Sequence, residues 1–238
     1  MELKDMIYAR RSVRKFVDEP LEERELLKIS QAFSRMKPLY PTIRIRWEIL
    51  DKEQTRLYMP WKAPHVIAIY SKKEEGYCEN VGFLFQQMDL YLQSIGLGSC
   101  WVGLGKPRLI REEDGLEFVV LLAFGRTSGA AMRTKPEDFK RKPLAEIADT
   151  VDARLEPARL APSSTNSQPW YFTHEEDAVH AWCSLSGLWK HTMLGTMNRI
   201  DMGIALAHLY VANPDSFRFF LTRQPKRDGY AYIGSFTL

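Results

Sequence analysis

Arg10, Arg11, Ser12 and Arg14 fall within one short segment near the start of this 238-residue chain, Ala9-Arg10-Arg11-Ser12-Val13-Arg14-Lys15-Phe16. The arginines bring permanent charge and directional N–H donors, and the serine adds a hydroxyl, a combination suited to a phosphate or another polar oxyanion. Taken alone, such a run also reads as a solvated basic face. Far downstream lies Pro162-Ser163-Ser164-Thr165-Asn166-Ser167-Gln168-Pro169-Trp170. Its prolines stiffen the ends, and its short polar side chains can bond back to the backbone, giving a shaped loop rich in donors and acceptors. An ordinary helix-to-strand linker accounts for the Pro and Ser content but not for the whole ordered pattern. In Gly96-Leu97-Gly98-Ser99-Cys100-Trp101-Val102-Gly103, glycines permit close backbone approach. Arg141, in Phe139-Lys140-Arg141-Lys142-Pro143-Leu144, and Arg126, after Phe124-Gly125, are further cations for which a surface patch is the competing reading.

Other chemistries find less support. Cys78, Cys100 and Cys183 are widely spaced and odd in number, forming neither a zinc-ligand pattern nor a disulfide framework. Cys100 has no His or Asp constellation beside it and reads as a small buried thiol. His65, His174, His180, His191 and His208 lack metal-ligand spacing, so no metal is expected. Gly96-x-Gly98 lacks the next glycine of a dinucleotide fingerprint and follows a helical pattern instead of a strand. A net charge of +3 is too small to argue for a nucleic-acid partner. Met1-Glu2-Leu3-Lys4-Asp5 has no signal-peptide character, and the apolar run Phe118–Phe124 is too short to cross a bilayer. The expectation is a cytoplasmic protein with no membrane partner.

These segments need a scaffold. Val81, Leu84, Phe85, Met88, Tyr91, Leu92 and Ile95 repeat at helical spacing, with Gly96 where the helix should stop. A second long helix is expected from about Asn198 to Ala212, ended by Asn213-Pro214, and a short one over Leu3–Ala9. Runs rich in β-branched and aromatic residues predict strands over Ile43–Leu50, His65–Tyr70, Phe118–Phe124, Trp170–Thr173, Val179–Cys183, Phe217–Leu221 and Tyr230–Phe236. A shift of 123 positions superposes Pro20-Leu21-x-Glu23 on Pro143-Leu144-x-Glu146 and Trp47 on Trp170, the pattern of a degenerate duplication. On that reading Met36–Thr42, before Trp47, has lost the Ser-Ser-x-Asn chemistry kept before Trp170. No second Arg-Arg-Ser segment precedes Pro143.

The arginine-serine and Pro-Ser-Ser-x-Asn segments resemble signatures of the FMN-dependent nitroreductase family. In ordinary members they sit close together in sequence, and one flavin is bound by the first from one subunit and the second from its partner. The resemblance implies an α+β, nitroreductase-like fold: a central, mainly antiparallel sheet with surrounding helices, in which residues 1–142 and 143–238 are two degenerate halves forming a pseudo-dimer around one FMN site. It puts Arg10 and Ser12, with Arg11 beside them, on the phosphate and ribityl side and Arg14 near the pyrimidine edge. A main-chain N–H of Val102 or Gly103 would meet the flavin N5 edge. Arg141 resembles the late basic residue that returns to the phosphate, and Pro162, Ser163, Ser164 and Asn166 would edge the ring. No catalytic side chain is implied, because the flavin carries the chemistry. NAD(P)H would reduce it, and a small acceptor such as a nitroaromatic or quinone would take the electrons. A monomeric pseudo-dimer is expected, with further pairing into a homodimer left open. The rival readings are a flavin-binding protein without turnover and a phosphate- or nucleic-acid-binding module using Arg10–Lys15 and Lys140–Lys142.

Overall fold

The structure is a computed structural model that describes residues 2–129, 132–185 and 193–238. Helix α1 (Leu3–Ala9) leads through an extended stretch to α2 (Glu23–Phe33), whose first turn is closed by the Glu25 carboxylate accepting the Glu22 N–H at 2.8 Å. There follow β1 (Ile45–Asp51), β2 (Thr55–Leu57), β3 (His65–Ser71), α3 (Tyr77–Ser94), β4 (Gly98–Val102), β5 (Gly105–Pro107) and β6 (Glu117–Gly125). The later part holds α4 (Leu144–Ile147), α5 (Glu156–Arg159), β7 (Trp170–Glu175), β8 (Ala178–Ser184), α6 (Met193–Ala212), β9 (Arg218–Phe220) and β10 (Tyr230–Thr237). Every expected strand is present with ends moved by a few residues, and α6 starts at Met193 instead of about Asn198.

The mixture of helices and antiparallel pairing is as expected, but the strands are shared between two four-stranded sheets, β1-β3-β6-β4 and β7-β8-β10-β9, with β2 and β5 paired separately. Both larger sheets run in the same order: first strand, second, last, third. Strands β3 and β6 read as unbroken apolar runs because both faces of their sheet are covered. Ile67, Ile69, Val120, Leu122 and Phe124 enter the main core with α3 and α6. The alternate residues Val66, Ala68, Tyr70, Leu121 and Ala123 meet Phe16, Leu57, Met59 and Trp61 on the other face.

Helices α3 and α6 cross at the centre, and their approach is set by two glycines. A Cβ on Gly82 would lie 2.0 Å from the Ile200 carbonyl oxygen, and one on Gly203 would lie 2.0 Å from that of Glu79. The contact is reciprocal, each glycine resting on the residue three positions before the other. Because the obstacle is backbone, no rotamer change relieves it. Gly203→Ala should therefore lower the free energy of unfolding by about 3 kcal/mol or more, read as a shift in the urea midpoint; an unchanged midpoint would show that the crossing is looser.

Candidate functional site

The arginine-serine segment is extended because it completes a sheet edge. Strand β4 ends its sheet, and the segment docks along its free side: Ser12 bridges Ser99 in parallel, and the Val13 N–H donates to the Ser99 carbonyl at 2.9 Å. Phe16 bridges Thr127, and the Val17 N–H donates to the Arg126 carbonyl at 2.9 Å. The fit requires Gly98, where a Cβ would sit 2.3 Å from Thr127 Cγ2 and 2.9 Å from Val13 Cβ.

This docking carries Arg10 into the interior. Only 1% exposed, Arg10 donates from Nε to Asp89 Oδ2 at 2.9 Å. Asp89 also accepts from the Ser99 hydroxyl at 2.6 Å and the Gln86 amide at 3.0 Å, so a buried charge pair is surrounded by further donors. Gln86 links the network outward, accepting from Trp101 Nε1 at 3.0 Å and reaching His208 Nε2 at 3.0 Å. His208 Nδ1 lies 2.9 Å from the Pro157 carbonyl, which fixes the tautomer with the proton on Nδ1. Burial first, and the Arg10 charge second, push His208 down to about 3.

A cavity of about 340 Å³ opens beside this network. Ser12 and Arg14 contribute from the early segment, Cys100–Leu104 from β4 and the turn after it, and Pro162–Thr165 from the late loop. Met197, Ile200, Asp201 and Ile204 of α6 close one side, and Met59 and Trp61 another. The loop holds its shape through internal bonds: the Ser163 hydroxyl accepts the Gln168 N–H at 2.9 Å, and Thr165, Asn166 and Gln168 adopt left-handed φ of 51°, 59° and 48°. Asp201 anchors it to α6, with Oδ2 accepting the Ser164 N–H at 2.9 Å.

The expected site residues therefore divide. Ser12, Arg14, Val102, Gly103, Pro162, Ser163 and Ser164 meet around one cavity. Arg10 stands behind it and donates from Nη2 to Ser12 at 3.4 Å. Arg11 is exposed and tethers the segment through its N–H to Gln93 Oε1 at 3.0 Å. Arg141 and Asn166 bond to each other at the end of the loop. Arg126 lies elsewhere, held by Glu25 at 2.9 Å. Cys100 is part of the wall, and burial raises its thiol, the opposite of what a nucleophile needs. Among the described residues no group of His, Cys, Asp and Glu could hold a metal, and no helix is long and apolar enough to cross a membrane.

Among the residues of this region that escaped the sequence reading, Arg133 and Asp201 carry the most charge chemistry. Arg133 donates to the Arg10 carbonyl and to the Asp138 carbonyl at 3.1 Å. Its repeat signal was present: the shift of 123 that aligns Pro20 with Pro143 also aligns Arg10 with Arg133 and Phe16 with Phe139. Burial first, then neighbouring guanidiniums, bring Arg133 and Arg141 each down to about 10. The neighbours are Arg10 and Arg11 for Arg133, and Arg10, Arg133 and Arg159 for Arg141. Asp89 is taken by Arg10, and among the described residues Arg141 is satisfied by the Ala161 and Phe139 carbonyls and Asn166. The second is Asp201, 4% exposed, whose carboxyl burial pushes up to about 8.

Opposite pH dependences follow. Asp201 keeps its proton in the folded chain where the unfolded chain, at about 3.9, has lost it, so its contribution to stability is lost as pH rises from about 4 to about 8. His208, at about 3 folded against about 6.5 unfolded, loses its contribution as pH falls through that interval. Asp201→Asn removes only the first. Relative to wild type, its unfolding free energy should rise between about pH 5 and 8 by up to about 1.4 kcal/mol per pH unit and level off above; a pH-independent difference would contradict a buried neutral carboxyl. Arg10→Ala, which strands Asp89, should cost about 3–5 kcal/mol in the same measurement.

Comparison with known proteins places this architecture. The chain matches the family described as "Putative TM nitroreductase" over residues 2–213. No curated protein matches. A solved structure described as a putative nitroreductase from Thermotoga maritima is similar with a TM-score of 0.64 and 20% identity, over 99% of this chain and 92% of that one. A nitroreductase family protein from Clostridium difficile matches 63% of this chain and 99% of its own at 21% identity and a TM-score of 0.49. An FMN-dependent nitroreductase from the same species matches 56% of this chain and 94% of its own at 16% identity and a TM-score of 0.44. The family match runs from the residue before α1 past the end of α6 and takes in every segment that lines the cavity, and the chain belongs to this nitroreductase family.

Proposed function

We propose that the cavity holds FMN and that the protein is a flavin oxidoreductase, taking electrons from NAD(P)H and passing them to a small quinone or nitroaromatic acceptor. The observation that carries this reading is the junction of two unlike environments. One is the arginine cluster of Arg10, Arg133 and Arg141, whose charges oppose one another and call for an anion. The other is a wall of Trp101, Val102, Val120, Ile200 and Ile204, suited to a flat apolar ring. They adjoin at Ser12, bonded to Arg10, and at the loop whose ends, Ala161 and Asn166, bond to Arg141. A phosphate dianion at the cluster and a tricyclic ring against the wall fit this donor set.

When bound, the flavin supplies the two-electron chemistry. The chain's tasks are to hold the phosphate with Arg133 and Arg141, to meet the ribityl oxygens with Ser12, and to bring Arg14 to the pyrimidine edge. The N–H groups of Val102 and Gly103 would face the N5 edge, Pro162, Ser163 and Ser164 would edge the ring, and Met59 and Trp61 would limit water. Asn166 acts by holding Arg141.

We further propose that the chain is a pseudo-dimer with one FMN site. The common strand order and the reciprocal glycine crossing support two related halves. Arg133 and Phe139, as repeat counterparts of Arg10 and Phe16, would move the start of the second half upstream of residue 143. The offset of 121 that relates Gly82 to Gly203 relates Asn80 to Asp201 and Phe83 to Ile204. Around that second position Tyr40 meets Phe219 edge-on at 5.5 Å and Phe83 stacks on Phe217 at 6.1 Å, so aromatic side chains occupy the ground a second flavin would need.

Phosphate recognition is separable from ring binding. By flavin fluorescence, Arg133→Ala and Arg141→Ala should each weaken FMN about 10- to 100-fold while changing the affinity for riboflavin, which lacks the phosphate, less than about twofold. Equal losses for both ligands would place these arginines away from the phosphate, and no binding of FMN by wild type would overturn the reading.

A further inference from the structure

Asp201 sits in the cavity wall, yet its structural task of holding the loop needs no acid. In the other half Asn80 accepts the Leu39 and Tyr40 N–H groups, each at 2.9 Å, and so ties helix α3 to the loop before β1. Asp201, at the equivalent place on α6, ties that helix to the loop before β7 through the Ser164 N–H at 2.9 Å. An amide thus performs the loop-holding role at the end where aromatic side chains pack together, and a carboxyl performs it at the cavity.

Among the described residues no cation pairs with that carboxyl to neutralise it as a carboxylate. From the loop it meets the Ser164 N–H and the Ser167 hydroxyl, and from β8 the Cys183 thiol is near enough for their charges to interact. On its own helix Arg199 is drawn to Glu79 at 2.6 Å. Arg14 and Cys100 line the same cavity, but neither contributes to the upward displacement of Asp201, which comes from burial. A group so placed keeps its proton at neutral pH and can give it to a molecule inside the cavity.

We infer that Asp201 is the proton donor of the cavity, protonating an oxygen of a bound quinone or nitro acceptor as that acceptor is reduced. This rests on the FMN reading of the site. The acceptor takes a hydride equivalent from the reduced flavin while the O–H bond of Asp201 breaks, leaving its electron pair on the carboxylate and forming a new O–H bond on the acceptor. One hydride and one proton convert a quinone to a hydroquinone, or a nitro group to a nitroso group and water. Water then returns a proton to Asp201. The preferred acceptors are consequently those with a hydrogen-bond-accepting oxygen conjugated to the reducible centre.

The test uses Asp201→Asn, which places on α6 the side chain that Asn80 already carries on α3. In infrared spectra of the FMN-free protein at pH 7, wild type should show a protonated-carboxyl C=O band that the variant lacks. With FMN bound and chemically reduced under anaerobic conditions, oxidation by a quinone should be about 100-fold slower in the variant, and wild type should lose rate above about pH 8 where the variant does not. Both proteins are compared at saturating FMN, so that a change in flavin affinity does not enter the rates. Absence of the infrared band, or an equal rate and pH profile in the variant, would overturn the assignment while leaving flavin binding intact. Failure of wild type to bind FMN would instead sink the flavin reading, and the proton-donor role with it.

Discussion

The crossing of α3 and α6 on Gly82 and Gly203 is the constraint from which the site follows. Backbone contact at that point leaves no room for a side chain and brings each helix against the other. It sets Met197, Ile200, Asp201 and Ile204 of the late helix opposite the turn after β4 and the docked arginine-serine segment. Segments more than a hundred residues apart meet because two smooth helix surfaces meet. The cost is a large number of polar groups at the centre of the molecule. Asp89, Gln86, Gln93 and Ser99 answer it by forming one network with Arg10.

The same architecture is used unequally at its two ends. Where Asp201 and a serine-rich loop border open space, the equivalent region has Asn80 holding the Tyr40 N–H, with Tyr40 against Phe219 and Phe83 against Phe217. Aromatic side chains fill that end, and a buried carboxyl and a cluster of guanidiniums mark the other. Polar groups that border a cavity incur desolvation with no packing in return, which favours a ligand beside Asp201 and Ser164.

Much of this was legible in the chain. The long helices announced themselves by apolar spacing, and β3 and β6 by short continuous runs. The two signature segments fell around a common cavity because their residue types suit an oxyanion and a shaped loop. Strand β4 was missed: it is short and glycine-led, and it earns its strand geometry from pairing with β6 and from the segment docked on its edge. The role of Arg10 was only partly visible, since its partner Asp89 lies on α3 in a pattern dominated by apolar residues. Asp201 was invisible for a related reason. Nothing in a helical sequence says that one aspartate will be closed off by a loop 37 residues earlier. Arg133 needed only a longer view of the repeat.

The central claim is that one flavin lies between the early and late segments of a single chain. A crystal structure of the protein grown with FMN tests it most directly. The account predicts one FMN per chain, its ring bordered by Val102, Gly103, Ser163 and Ser164 and its phosphate within hydrogen-bonding distance of Arg133 or Arg141. Density for FMN elsewhere, two occupied sites per chain, or a phosphate turned away from the arginine cluster would contradict it.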